Sequence, residues 1–259
     1  MKPSWRDPAA VEEALLHGDG DGVKVAVIDS GIETTHPALD GISLSDDVAF
    51  EDRFGEIHIE ENTAIDVFGH GTAVTWCVRK IAPKAQIGSF RVLNARNGSK
   101  HHIIRAGATE AIQRGYQVLN CSFGARDDLG KFAMLYKAWL DKAYLAGIHV
   151  VTACNNDDAS IQEWPGFFHS CINVNMLAED DPRFAFRPDH LVEFGAHGQN
   201  LELPWIHGST IRTCGSSFAA PLVAGYVARL LSAFPDLTPI QAKALLQAHA
   251  RPYPQASAS

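Results

Sequence analysis

Apolar positions along this chain fall into two kinds of run that alternate. Short β-branched runs, almost unbroken by polar residues, are bounded by turn residues. Longer mixed stretches read as helices. The first short run is Val23-Lys24-Val25-Ala26-Val27-Ile28, and others follow at residues 85–93, 117–122, 148–154 and 170–177. Such runs predict strands buried on both faces, as in a parallel sheet. Helices are predicted at residues 8–16, 69–81, 103–114, 131–146, 216–234 and 238–250. Gly115 and Gly147 close two of them, and Thr238 with Pro239 opens the last as N-cap and first helical residue. Strands alternating with helices of this length imply βαβ units. The fold class is therefore α/β, a mostly parallel sheet with helices on both faces in three layers.

No linker divides the chain. Residues 1–21 read as an N-terminal arm with one short helix, and residues 22–250 as one domain. Residues 251–259, rich in Pro, Ala and Ser, read as a disordered tail. Residues 40–66, rich in Asp and Glu, read as loops with one short strand at most. Ligands bind such sheets beyond the carboxyl ends of the strands. Asp29 follows the first strand directly and Asn155 follows the fourth.

Composition narrows the function classes. The formal net charge is −8, which argues against nucleic acid or an anionic membrane as partner. No apolar run approaches the roughly 18 residues of a membrane span, and residues 1–7 carry no signal-peptide core. The five cysteines are odd in number and none sits at metal-ligand spacing. Free thiols in a reducing cytoplasm are the expectation, rather than secretion.

Four segments carry candidate chemistry. Asp29, in Asp29-Ser30-Gly31-Ile32, is a carboxylate at the end of a buried strand, where it needs a partner; it could also cap a turn. His70 lies between Gly69 and Gly71 at the start of an apolar helix, with its imidazole unobstructed. Histidine exchanges protons near neutral pH, although this is one of twelve in the chain. Ser217, in Gly215-Ser216-Ser217-Phe218-Ala219-Ala220-Pro221, opens a long helix among small residues. It could be an ordinary cap, or a nucleophile at a helix end that favours developing negative charge. Asn155, just past a strand, could be a turn residue or an amide donor to an oxyanion.

Together, and in the order Asp, His, Ser, these segments resemble the subtilisin-like serine peptidases. Ala153-Cys154-Asn155 is similar to that family's oxyanion block, and Asn120-Cys121-Ser122-Phe123-Gly124 to its substrate-pairing strand. The resemblance spans roughly residues 20–250. It implies a serine endopeptidase in which Ser217 attacks the scissile carbonyl, His70 moves the proton, Asp29 orients His70, and Asn155 donates to the oxyanion. It implies substrate contacts at Ser122, Phe123, Gly124, Ala153 and Cys154, and at Gly98 and Lys100 in the segment flanking the upstream residues. The partner is a peptide or protein substrate, with a dedicated precursor as one form of it.

Departures from the family pattern shape the remaining expectations. Cys154 stands where glycine is usual, which predicts a narrowed pocket and a small residue before the cut. Arg96, Lys100, His101 and His102 predict recognition of acidic residues upstream. Ala73 and Leu222 replace frequent histidines outside the triad. Family members often bind structural calcium, but residues 46–61 lack a recognisable ligand spacing. No required cofactor and no metal ligand are expected. Only about 20 residues precede the first core strand, too few for the pro-segment such enzymes often need to fold. This favours a protein that folds unaided inside the cell over an excised mature enzyme. The competing activities are a peptide ligase or macrocyclase on the same scaffold, and a peptide-binding pseudoenzyme without catalysis.

Overall fold

Lys24–Asp29 (β1) occupies the middle of a ten-stranded sheet. In the computed structural model, which describes residues 3–126, 131–178, 181 and 183–254, its side chains divide between two cores. Val25 and Val27 join one apolar cluster and Ala26 and Ile28 the other. Burial on both faces is why the run is almost wholly apolar.

In chain order the next strands are β2 (Asp46–Arg53), β3 (Glu56–Glu61), β4 (Gln86–Arg91), β5 (Val118–Cys121) and the short β6 (Ala125–Arg126). Then come β7 (His149–Ala153), the short β8 (Glu163–Trp164), β9 (Ile172–Leu177), β10 (Ala185–Phe186) and β11 (Phe194–His197). β12 (Leu201–Trp205), β13 (Ser209–Thr213) and β14 (Arg251–Pro252) complete the set. The main sheet runs β14-β10-β11-β9-β7-β5-β1-β4-β2-β3. It is parallel from β11 to β2, while β10 and β3 pair antiparallel with their neighbours β11 and β2.

The helices are α1 (Pro8–His17), α2 (His70–Ile81), α3 (His101–Gln113), α4 (Ala133–Leu145), α5 (Ser216–Ala233) and α6 (Pro239–His249). Residues of α1, α2, α5 and α6 form one core with the sheet, and α3 and α4 form the other. This is the expected three-layer arrangement. The chain builds outward from β1 through β2 and β4, then crosses to β5 on the other side. The sheet order therefore reverses at β1, and a crevice opens beyond its carboxyl end.

Two expectations change. Residues 40–66 hold a two-stranded antiparallel hairpin, not loops with one short strand. Its second strand, β3, is a mostly exposed sheet edge whose two apolar residues, Ile57 and Ile59, alternate over too short a stretch of a charged segment to stand out. The first residues of the expected tail are held against the sheet. Arg251 and Pro252 pair in parallel with β10, and Asn175 Nδ2 donates to the Tyr253 hydroxyl at 3.1 Å. Proline is tolerated there because β14 is an edge strand. The rest of the expected tail, residues 255–259, lies outside the described residues.

Candidate active site

β1 delivers Asp29 to the crevice fully buried, and α2 begins with His70 facing it. His70 Nδ1 lies 2.8 and 2.9 Å from the two Asp29 carboxylate oxygens. A carboxylate can only accept here, so Nδ1 carries the proton and Nε2 keeps the basic lone pair. Asp29 also accepts from the Ser30 N–H at 2.7 Å. The two elements meet so closely that only glycine fits at residue 71: a Cβ there would lie 2.1 Å from the Gly31 carbonyl oxygen. That contact explains the second glycine of Gly69-His70-Gly71.

A second buried carboxylate fastens the same junction. Asp66 Oδ1 accepts from Ser30 Oγ (2.8 Å), Phe68 N (3.0 Å) and Gly69 N (2.7 Å). Its Oδ2 accepts from Thr72 N (2.8 Å) and Thr72 Oγ1 (2.7 Å). It thus serves backbone donors that α2 leaves unpaired in its first turn. Burial alone would push the His70 imidazole down. The charge of Asp29, its hydrogen bond and the charge of Asp66 outweigh burial, and His70 is held above its ordinary value.

Ser217 is the second residue of α5, and the ring of its neighbour Phe218 packs 5.2 Å from the His70 ring, centroid to centroid. The Ser217 hydroxyl donates to the Ser122 carbonyl at 3.1 Å. In return Ser122 Oγ donates to the Ser217 carbonyl at 2.8 Å. Pro221 makes that second bond available. Four residues after Ser217, it has no N–H for the Ser217 carbonyl, so the acceptor is free for Ser122. Asn156 completes the mounting, with its Oδ1 accepting from the Ser216 N–H at 2.8 Å.

The β7 end carries Asn155. Its Oδ1 accepts from the N–H groups of Asp157 (2.9 Å) and Asp158 (3.0 Å), which fixes the amide's orientation. One Nδ2 proton goes to Glu163 Oε1 at 2.6 Å, and the amide has a second to give. A cavity of about 350 Å³ opens beside Ser217. Ser122, Phe123, Gly124, Ala153 and Cys154 line it together with Asn155, so these expected contacts do come together.

Gly98 and Lys100 line a neighbouring groove instead. Lys100 does not present a free charge there: it donates to Asp52 at 2.6 Å, and His102 Nε2 lies 3.0 Å from the same carboxylate. Lys100, the Gly55 N–H and His102 hold Asp52 at about 2. Burial pushes the Cys154 thiol up to about 12, so it supplies no thiolate.

Asp66, Asn156 and Glu163 are the site residues that sequence reasoning missed. Asp66 lies four residues before His70 and Asn156 directly after Asn155, but their roles depend on which donors the fold brings to them. Glu163 lies eight residues past Asn155 in a segment without apolar pattern, and nothing in the chain marked it.

Carboxylates of the acidic stretch are engaged by neighbouring side chains. Asp46 is engaged by Arg114 and Tyr116, Asp47 by Asn62, and Asp52 by Lys100. Among the described residues no group of three or more His, Cys, Asp or Glu is placed to hold an ion.

Comparison with known proteins points one way. A sequence model of the subtilase family matches residues 20–258. Subtilisin DY of Bacillus licheniformis is 31% identical over 238 residues, covering 86% of this chain and 82% of that protein. Subtilisin E of Bacillus subtilis (strain 168) is 29% identical over 257 residues; the match covers 93% of this chain but 64% of that protein's length. The crystal structure of a cold adapted subtilisin-like serine proteinase superposes with a TM-score of 0.73 at 25% identity, covering 90% of this chain and 83% of that one.

Proposed function

The chain belongs to the subtilase family and is a serine endopeptidase in general kind, and from that premise we propose that Asp29, His70, Ser217 and Asn155 hydrolyse peptide bonds of a narrow set of substrates through an acyl-enzyme on Ser217. The observation that carries this reading is the buried Asp29–His70 pair at 2.8 Å, packed against the head of the helix that bears Ser217.

The steps follow from the contacts. The Ser217 hydroxyl turns from the Ser122 carbonyl to His70 Nε2 and attacks the scissile carbonyl carbon. His70 takes its proton and returns it to the leaving amine. Asp29 holds the Nδ1 proton throughout and stabilises the imidazolium. The oxyanion meets the second N–H of Asn155 and the Ser217 backbone N–H, which lies in a helix turn without intrahelical partners. Water then attacks the ester carbonyl and gives a proton to the same imidazole, which passes it to Ser217 as the acid product leaves.

Specificity is argued from the surroundings. Cys154 lines the cavity beside Ser217, with its thiol turned to Asn155 O and Asn175 Oδ1. Acidic residues upstream would meet Arg96, which has no ion-pair partner among the described residues, since Lys100 is engaged by Asp52. No metal takes part in this scheme. Cysteines that are all unpaired, four of them buried, support a reducing compartment.

Digestion of a peptide library, with products weighed by mass spectrometry, tests the reading. Hydrolysis within a restricted set of sequences, lost in His70→Ala, is expected. Products joined through a new amide would favour the ligase instead, and binding without any product the pseudoenzyme.

A further inference from the structure

We infer that Glu163 turns the cavity beside Ser217 into a pocket for a cationic side chain, so that cleavage follows lysine or arginine. The inference rests on the hydrolytic reading above and names its substrate class. Among the described residues two carboxylates, Glu163 and Asp157, line this cavity, and no Lys, Arg or His does so.

Glu163 is the inner of the two, its side chain 12% exposed against 84% for Asp157. Its Oε1 is held by the neutral amide of Asn155 at 2.6 Å. Its Oε2 lies against the expected substrate-pairing strand: a Cβ on Gly124 would come within 2.3 Å of it. The carboxylate therefore sits between the oxyanion donor and the strand that would hold the substrate backbone.

The nearest cation is Arg126, which stands opposite Glu163 in the β6–β8 pair. Its guanidinium reaches both carboxylates, Asp157 at 3.3 Å and Glu163 at 3.5 Å, while the side chain is 55% exposed. Two negative groups thus share one loosely held, solvent-screened positive group. A substrate that covers the pocket strips water from Glu163. An incoming ammonium or guanidinium compensates for that loss, whereas an apolar or very small side chain leaves the carboxylate poorly solvated. Cys154 does not offset this, because its thiol is turned to Asn155 O and Asn175 Oδ1, at 3.4 Å from each.

The test compares tetrapeptide anilides that differ only before the scissile bond, with lysine or with norleucine, its uncharged isostere. Lysine should lead in kcat/KM by roughly 30-fold, the lower end of what losing one partner of a buried charged pair costs. In Glu163→Gln the lysine-to-norleucine ratio should collapse toward one. The ratio cancels any uniform loss caused by disturbing Asn155. Equal ratios in both enzymes would overturn the inference, as would a preference for glycine or alanine that ignores charge. Calorimetry on Ser217→Ala with the lysine and norleucine peptides reads the pocket without catalysis. Tighter binding of the lysine peptide by a chain whose native form cleaves nothing would sink the hydrolytic reading but keep the pocket. Equal binding would sink the pocket alone.

Discussion

Replacing Asp66 by asparagine removes one charge and one acceptor from a network that touches no substrate, and both effects can be worked out. The carboxylate accepts five hydrogen bonds. An amide nitrogen at the Oδ1 position would face the N–H groups of Phe68 and Gly69, so it will take the Oδ2 position. There the Thr72 hydroxyl can rotate to accept, but the buried Thr72 N–H cannot. One unpaired buried donor costs about 1–3 kcal/mol, which urea denaturation of the variant should show. The lost charge acts on His70, whose imidazole is pushed down by burial and held up by Asp29 and Asp66. Without Asp66 its value falls, and the acid limb of the kcat/KM profile, where His70 must be unprotonated, moves to lower pH. The sign for stability follows. A group held above its ordinary value stabilises the fold below that value and stops doing so as pH rises through the raised one. The destabilisation should therefore be larger in acid than in alkaline solution. An acid limb that stays in place or moves upward would refute this account of the junction, as would a stability change within about 0.5 kcal/mol.

Other expectations follow from single contacts. Asn155→Ala should lower kcat by ~10²–10³-fold with little change in KM, as for loss of one oxyanion donor; steady-state kinetics on one good substrate decides it. Ser122→Ala orphans the Ser217 carbonyl and should cost about 1–3 kcal/mol in chemical denaturation. Adding Pro221→Ala supplies the missing helical N–H and should recover part of that loss, so purely additive effects would contradict the role given to Pro221. Asp52, held at about 2 chiefly by Lys100, contributes stability above the ordinary carboxylate value and loses it as pH falls toward about 2. Asp52→Asn should therefore flatten the acid limb of the stability curve, measured by thermal melts across pH.

The parallel core was legible because burial on both faces forces an unbroken apolar run, as in β1 and β7. The proposed triad could be picked out because its members sit at fixed places on such elements: Asp29 at a strand end, His70 and Ser217 in first helical turns. The hairpin of β2 and β3 was not, since the alternation of Ile57 and Ile59 on an exposed edge strand is short and set among charged residues. Nor was β14, two residues whose pairing depends on a distant β10. The Lys100 loop misled in another way. Counting its positive charges ignored Asp52, which lies 48 residues earlier in sequence and is hydrogen-bonded to Lys100 in space. Glu163 shows the same limit from the other side. A lone glutamate in an irregular segment acquires meaning only when β8 sets it against Asn155 and Gly124.

The central claim is that Ser217 is the nucleophile and His70 its base. Incubation with a fluorophosphonate, followed by peptide mapping, tests it directly. The account predicts one phosphonyl group per chain on Ser217, slow labelling in His70→Ala and none in Ser217→Ala. A label on any other residue, or equal labelling of the Ser217→Ala variant, would contradict it.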